Sequence, residues 1–109
     1  MRDTIERIEA RLRGAEKMSD ETRAELLALL QELKDEVSGL ADTHADQVQS
    51  IAGFAQMSAH EATREAPNEQ ALRHSLGGLE ASVSEFEQSH PQLVAVVNRV
   101  CQALSNLGI

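Results

Sequence analysis

The sequence contains no tryptophan and no tyrosine, and phenylalanine stands only at positions 54 and 86. A core built on aromatic bulk is therefore excluded. Alanine supplies much of the 41% apolar fraction, which favours helices with narrow apolar stripes over a thick interior. A single cysteine, Cys101, leaves no internal disulfide and no CxxC site. Positive charge is scarce too: 10 Lys and Arg stand against 18 Asp and Glu, for a net charge of −8. Such a surface cannot displace counterions from nucleic acid, and an anionic membrane repels it. No apolar run approaches the ~20 residues of a membrane span. The charged start, "MRDTIERIEARLR", lacks the apolar stretch of a signal peptide. The expected location is cytoplasmic, and the expected partners include neither nucleic acid nor membrane. P-loop, Rossmann and metalloprotease helix motifs are missing as well.

What is present is helical spacing, with no strand alternation and no hairpin dipeptide between β-branched runs. The 109 residues suffice for one domain. Met1, Ile5, Ile8, Leu12 and Ala15 recur at alternating steps of four and three, which predicts a helix over about 3–16. Asp3 and Glu6 have the spacing of a capping box. Ser19 is the next N-cap, followed by acids suited to a helix N-terminus. From there Leu26, Leu30, Leu33, Val37, Leu40 and His44 keep the rhythm, and Ile51, Phe54 and Ser58 extend it. Because the phase survives Gly39 and Gly53, one long helix is expected over about 20–65. A second stripe, which includes Val48, Ala52, Ala55, Ala59 and Ala62, lies beside the first.

"APNEQ" marks a turn at about 66–69, with Asn68 as the cap of the following helix. Leu72, Leu76, Leu79, Val83, Phe86, His90, Leu93, Val97, Val100, Leu104 and Leu107 then continue without a phase shift. A helix over about 70–89, kinked or broken at Pro91, and another over about 91–107 are expected, nearly coaxial. Gly108 at C′ and Ile109 at C″ would close the last helix in a Schellman cap against Leu104.

"SDETRAELLALLQEL" and "FEQSHPQLVAVVNRVCQALSNLGI" resemble a bacterial family, domain of unknown function 4404. The resemblance covers roughly residues 1–40 and 79–109, and the alanine-rich middle looks like an excess. It implies a short helical protein and brings no activity, substrate or catalytic residue.

Chemistry has few carriers. Cys101 follows a core position and reads as a small buried hydrophobe. His74-Ser75-Leu76-Gly77-Gly78 resembles the His-x-Leu-Lys-Gly motif of histidine phosphotransfer domains, with Gly77 in place of the lysine that steadies the phosphate. This makes His74 a candidate phosphoryl carrier, against the plainer reading of a solvated surface histidine. Acids on helices are usually a solvated face; Glu61, Glu65, Glu69 and Glu80 could gather near the hairpin tip, but no pair has a reason to act as acid and base. His44 and His90 stand where Leu or Val is expected, and a hairpin turning at Pro67 and Asn68 puts them opposite each other. They read as a hydrogen-bonded core pair or, more sharply, as a pH-responsive or metal site. Two-fold symmetry would bring four imidazoles together around zinc.

The expected fold is all-α: an elongated, coiled-coil-like antiparallel hairpin with a short N-terminal helix, within an oligomeric bundle. Two helices alone cannot cover the second stripe. Val48, Ile51, Ala52, Ala55, Ala59 and Ala62 are thus the expected oligomer interface. The expected function is a non-enzymatic scaffold or protein-interaction module without cofactor, acting as a homo-oligomer, with an unidentified protein as a further partner.

Overall fold

Ser19 sets the second helix where its sequence promises. Its side chain accepts a hydrogen bond from the Thr22 amide at 3.1 Å, and Asp20 and Glu21 occupy the first turn. The computed structural model describes residues 1–108 and is all-α. Its helices are α1 (Arg2–Gly14), α2 (Asp20–Ser38), α3 (Ala45–Ala62), α4 (Glu69–Val83) and α5 (Pro91–Gly108). A 3-10 turn, Ser84–Phe86, follows α4. Asn68 caps α4 by accepting from the Ala71 amide at 2.9 Å. The capping box does not form: Met1 is the N-cap of α1 without a side-chain bond, which places Asp3 inside the first turn. There its charge still meets the positive end of the helix dipole. The closing contact expected of Ile109 lies outside the described residues.

Two expectations give way. The helix over 20–65 would be roughly 70 Å long at 1.5 Å per residue, but the molecule measures 37 × 24 × 19 Å. The chain leaves helix geometry after Ser38 and resumes it at Ala45. Overlapping turns bridge the gap, with the amides of Thr43 and His44 both donating to the Leu40 carbonyl. These turns keep Leu40 buried. The apolar rhythm therefore runs on while the axis changes direction. The second break falls at residues 84–90. Pro91 takes the first position of α5, where its missing N–H costs nothing. The segments on either side are not coaxial: α5 folds back to pack along α4. The phase is continuous because both helices address the same core.

Five helices thus replace the two-helix hairpin. α3 packs on α4 and α5, α5 on α2 and α4, and α1 on α2 and α3. One apolar cluster joins them, with Ile5, Leu33, Ile51, Leu79 and Val97 fully buried. Ala55, Ala59 and Ala62 belong to it, and their short side chains let neighbouring backbones come close.

The link between α1 and α2 is held by Arg23. Its guanidinium donates to the Leu12 carbonyl at 3.0 Å, to the Met18 carbonyl at 3.3 Å and to the Ala15 carbonyl. It also pairs with Asp20 at 3.0 Å. Carbonyls at a helix end have no partner within the helix, and a cation is favoured there. Lys34 reaches the buried Glu9 from α2 at 3.7 Å and joins the same two helices.

Arg23→Met should cost about 2–3 kcal/mol, because it leaves these carbonyls without their charged donor. Arg23→Lys should recover only part of the loss, since an ammonium cannot fork across them. Chemical denaturation of the two variants checks both values.

Candidate functional site

The sites marked in the sequence fall in four places. At one corner the break before α3 meets the break before α5. His44 is the N-cap of α3, and His90 directly precedes α5. Their ring centroids lie 6.4 Å apart, and each meets buried Phe86 edge to face, at 5.3 and 5.5 Å. His44 Nδ1 is 2.8 Å from Thr43 Oγ1, and His90 Nδ1 is 3.0 Å from Ser89 Oγ. The pairing expected of these histidines is thus present, although the fold that produces it is not the expected hairpin. Both side chains are half-buried, and the aromatic contacts fasten the two breaks together. Two imidazoles supply half of a tetrahedral zinc shell. Among the described residues no group of three or more His, Cys, Asp or Glu is placed to hold a metal ion.

His74 is exposed on α4. Neighbouring Arg73 is engaged with Glu69 at 2.8 Å. Of the four acids, Glu61 is held by Arg64 at 2.8 Å, Glu69 by Arg73, and Glu80 lies beside Cys101. The thiol of Cys101 is buried between α4 and α5, 3.9 Å from the Leu76 carbonyl. Burial first, and the charge of Glu80 second, push its pKa up to about 12. A thiol is nucleophilic as the thiolate, so this one is inert near neutrality. A cavity of about 480 Å³ opens where the α1–α2 link, the α3–α4 turn and α5 converge. Lys17 lines it but already donates to the Glu65 carbonyl at 2.8 Å.

The alanine stripe lies inside the chain. Val48, Ile51, Ala55, Ala59 and Ala62 are buried in the intrachain core, and Ala52 is half-buried. Among the described residues, the large apolar side chains left outside are Phe54, 40% exposed, and Met57, 51% exposed. The continued four-three rhythm placed Phe54 in the core. Successive helical residues turn about 100°, so a helix that buries Ala55 and Ile51 swings Phe54 to the flank. There its ring covers the backbone of α4 at Gly78, where an added Cβ would come within 2.2 Å of it. Gly77 has open space above it. The signal for this flank was available as a run without charge: residues 47–60 hold no Asp, Glu, Lys or Arg. The carbonyl-binding role of Arg23 had no comparable signal, because it depends on how α1 ends.

Comparison with known families adds one finding. A model described as domain of unknown function (DUF4404) matches residues 29–109. The chain belongs to this family. The bounds of the DUF4404 match take in the alanine-rich middle as well as the C-terminal stretch, and leave out residues 1–28. The DUF4404 region thus takes in the second half of α2 and all of α3, α4 and α5, with both corner histidines. No curated protein and no solved structure matches the chain.

Two measurements test this geometry. Gly77→Ala should stabilise the protein by up to about 1 kcal/mol through helix propensity, whereas Gly78→Ala should destabilise it by displacing the Phe54 ring; thermal unfolding of the pair checks the opposite signs. For Cys101, a folded pKa raised from 9.0 to about 12 means full stabilisation below pH 9, lost progressively as pH rises toward 12. Cys101→Ala should flatten that part of the stability profile, and the native thiol should label slowly at pH 8 but rapidly once unfolded.

Proposed function

We propose that this DUF4404 member is a non-enzymatic helical interaction module that works as a homo-oligomer. The observation carrying the reading is the exposure of Phe54 and Met57 on a helix that is otherwise uncharged from 47 to 60. Solvent-facing helices of an acidic protein normally carry charge, and interface centres are depleted in charge and enriched in aromatic residues and methionine. The state of the reactive groups agrees. The one thiol is buried and protonated, and Glu61 and Glu69 are neutralised by arginines one turn away.

A second reading is favoured by one observation. His74 is exposed on α4, as a phosphoryl carrier requires, and Gly77 beside it leaves open space for a partner. The lysine that would steady a phosphate is missing from that position, which sets this reading second.

Light scattering over a concentration series should give a mass that is a multiple of 11.9 kDa. Incubation with acetyl phosphate should leave no acid-labile phosphate on His74. A monomer at every concentration, or a phosphohistidine at His74, would reverse the order of the two readings.

A further inference from the structure

The outward face of α3 has a shape that asks for a particular occupant. Between Asp46 and Glu61 its exposed residues are polar or apolar and never formally charged, in a chain that is 26% charged. Met57 projects from the centre of this face, more than half exposed. One turn before it stands Gly53, also exposed, with nothing within 4 Å of the place where a Cβ would sit. A glycine inside a helix costs about 1 kcal/mol relative to alanine. No contact among the described residues calls for it, in contrast to Gly78 beneath Phe54. A knob and a hole thus lie one turn apart on the same face.

Resting on the homo-oligomer reading above, we infer that the occupant is a second copy of this chain, docked α3 against α3 about a two-fold axis. In an isologous contact, residue i meets j and j meets i. Met57 of each copy then seats over Gly53 of the other, and Phe54, whose ring lies over Gly78 of α4, flanks the contact. Electrostatics favours the same occupant. Two chains of charge −8 repel at most orientations. Joining their uncharged faces keeps the acids of both copies out of the contact. A basic heterologous partner would instead be steered to the acidic faces and would gain nothing from this one.

The test starts from the full chain in solution. Met57→Lys places a charge on an exposed position, where it cannot disturb the core, and should weaken dimerisation at least tenfold by analytical ultracentrifugation. Gly53→Gln fills the hole. It should raise the thermal stability of the monomer through helix propensity and still weaken the dimer, a combination that unfolding cannot mimic. Gln92→Lys, on the exposed surface of α5, should leave dimerisation unchanged. Mixing a Gly53→Cys chain with a Met57→Cys chain in air should yield the mixed disulfide in preference to either homodimer. A wild-type protein that is monomeric throughout would overturn the oligomer reading and this interface together. A wild-type dimer that survives both Met57→Lys and Gly53→Gln would overturn the interface alone.

Discussion

A chain without tryptophan or tyrosine closes a core only if its helices come close together, and the alanine face of α3 is where they do. Ala55, Ala59 and Ala62 spend almost no volume, so α3 can lie against α4, α5 and α1 within one chain. Leucine, isoleucine and valine from those helices fill what remains. Larger residues at the alanine positions would push the helices apart and open voids that this apolar supply cannot fill, and tight packing is what makes such a core stable. The approach is close enough at its flank that the Phe54 ring takes the space a side chain at Gly78 would need.

That central contact requires the chain to change direction twice, at residues 39–44 and 84–90. Both reversals are brief, and each preserves the spacing of buried residues by leaving one apolar side chain, Leu40 or Phe86, inside the core. Phe86 does more, because His44 and His90 close upon it from the two breaks. A corner that joins two loops through one buried ring restrains both. The other end of the bundle is restrained by polar bonds, where Arg23 gathers the carbonyls of the α1–α2 link.

The thiol of Cys101 is buried in the core, and Glu61 and Glu69 are each paired with an arginine one turn away. The net charge of the molecule keeps most of its surface solvated and mutually repulsive. The exposed side of α3 differs, because its inward positions have been given to the core and its outward ones between residues 47 and 60 carry no charge. The same helix therefore contributes alanines to the interior and an uncharged stretch, residues 47–60, to the surface.

By itself the sequence determined the helical class, the caps at Ser19 and Asn68, most of the apolar positions of the helices, an interruption at Pro91 and membership of the family. These follow from local chemistry, the spacing of side chains and residues that match elsewhere. The breaks at residues 39–44 and 84–90 were not legible as reversals, because periodicity records which side of the chain is apolar and is blind to the direction of the axis. For the same reason the alanine stripe pointed to a second chain, when three further helices of its own chain were available to cover it. The pairing of His44 with His90 was legible only as a consequence of register, and a different fold delivered it. Whether Phe54 turned inward, which glycine had to be glycine, and where Arg23 found its carbonyls were decided by tertiary structure alone. Each depends on the distance between elements far apart in sequence, which no local pattern encodes.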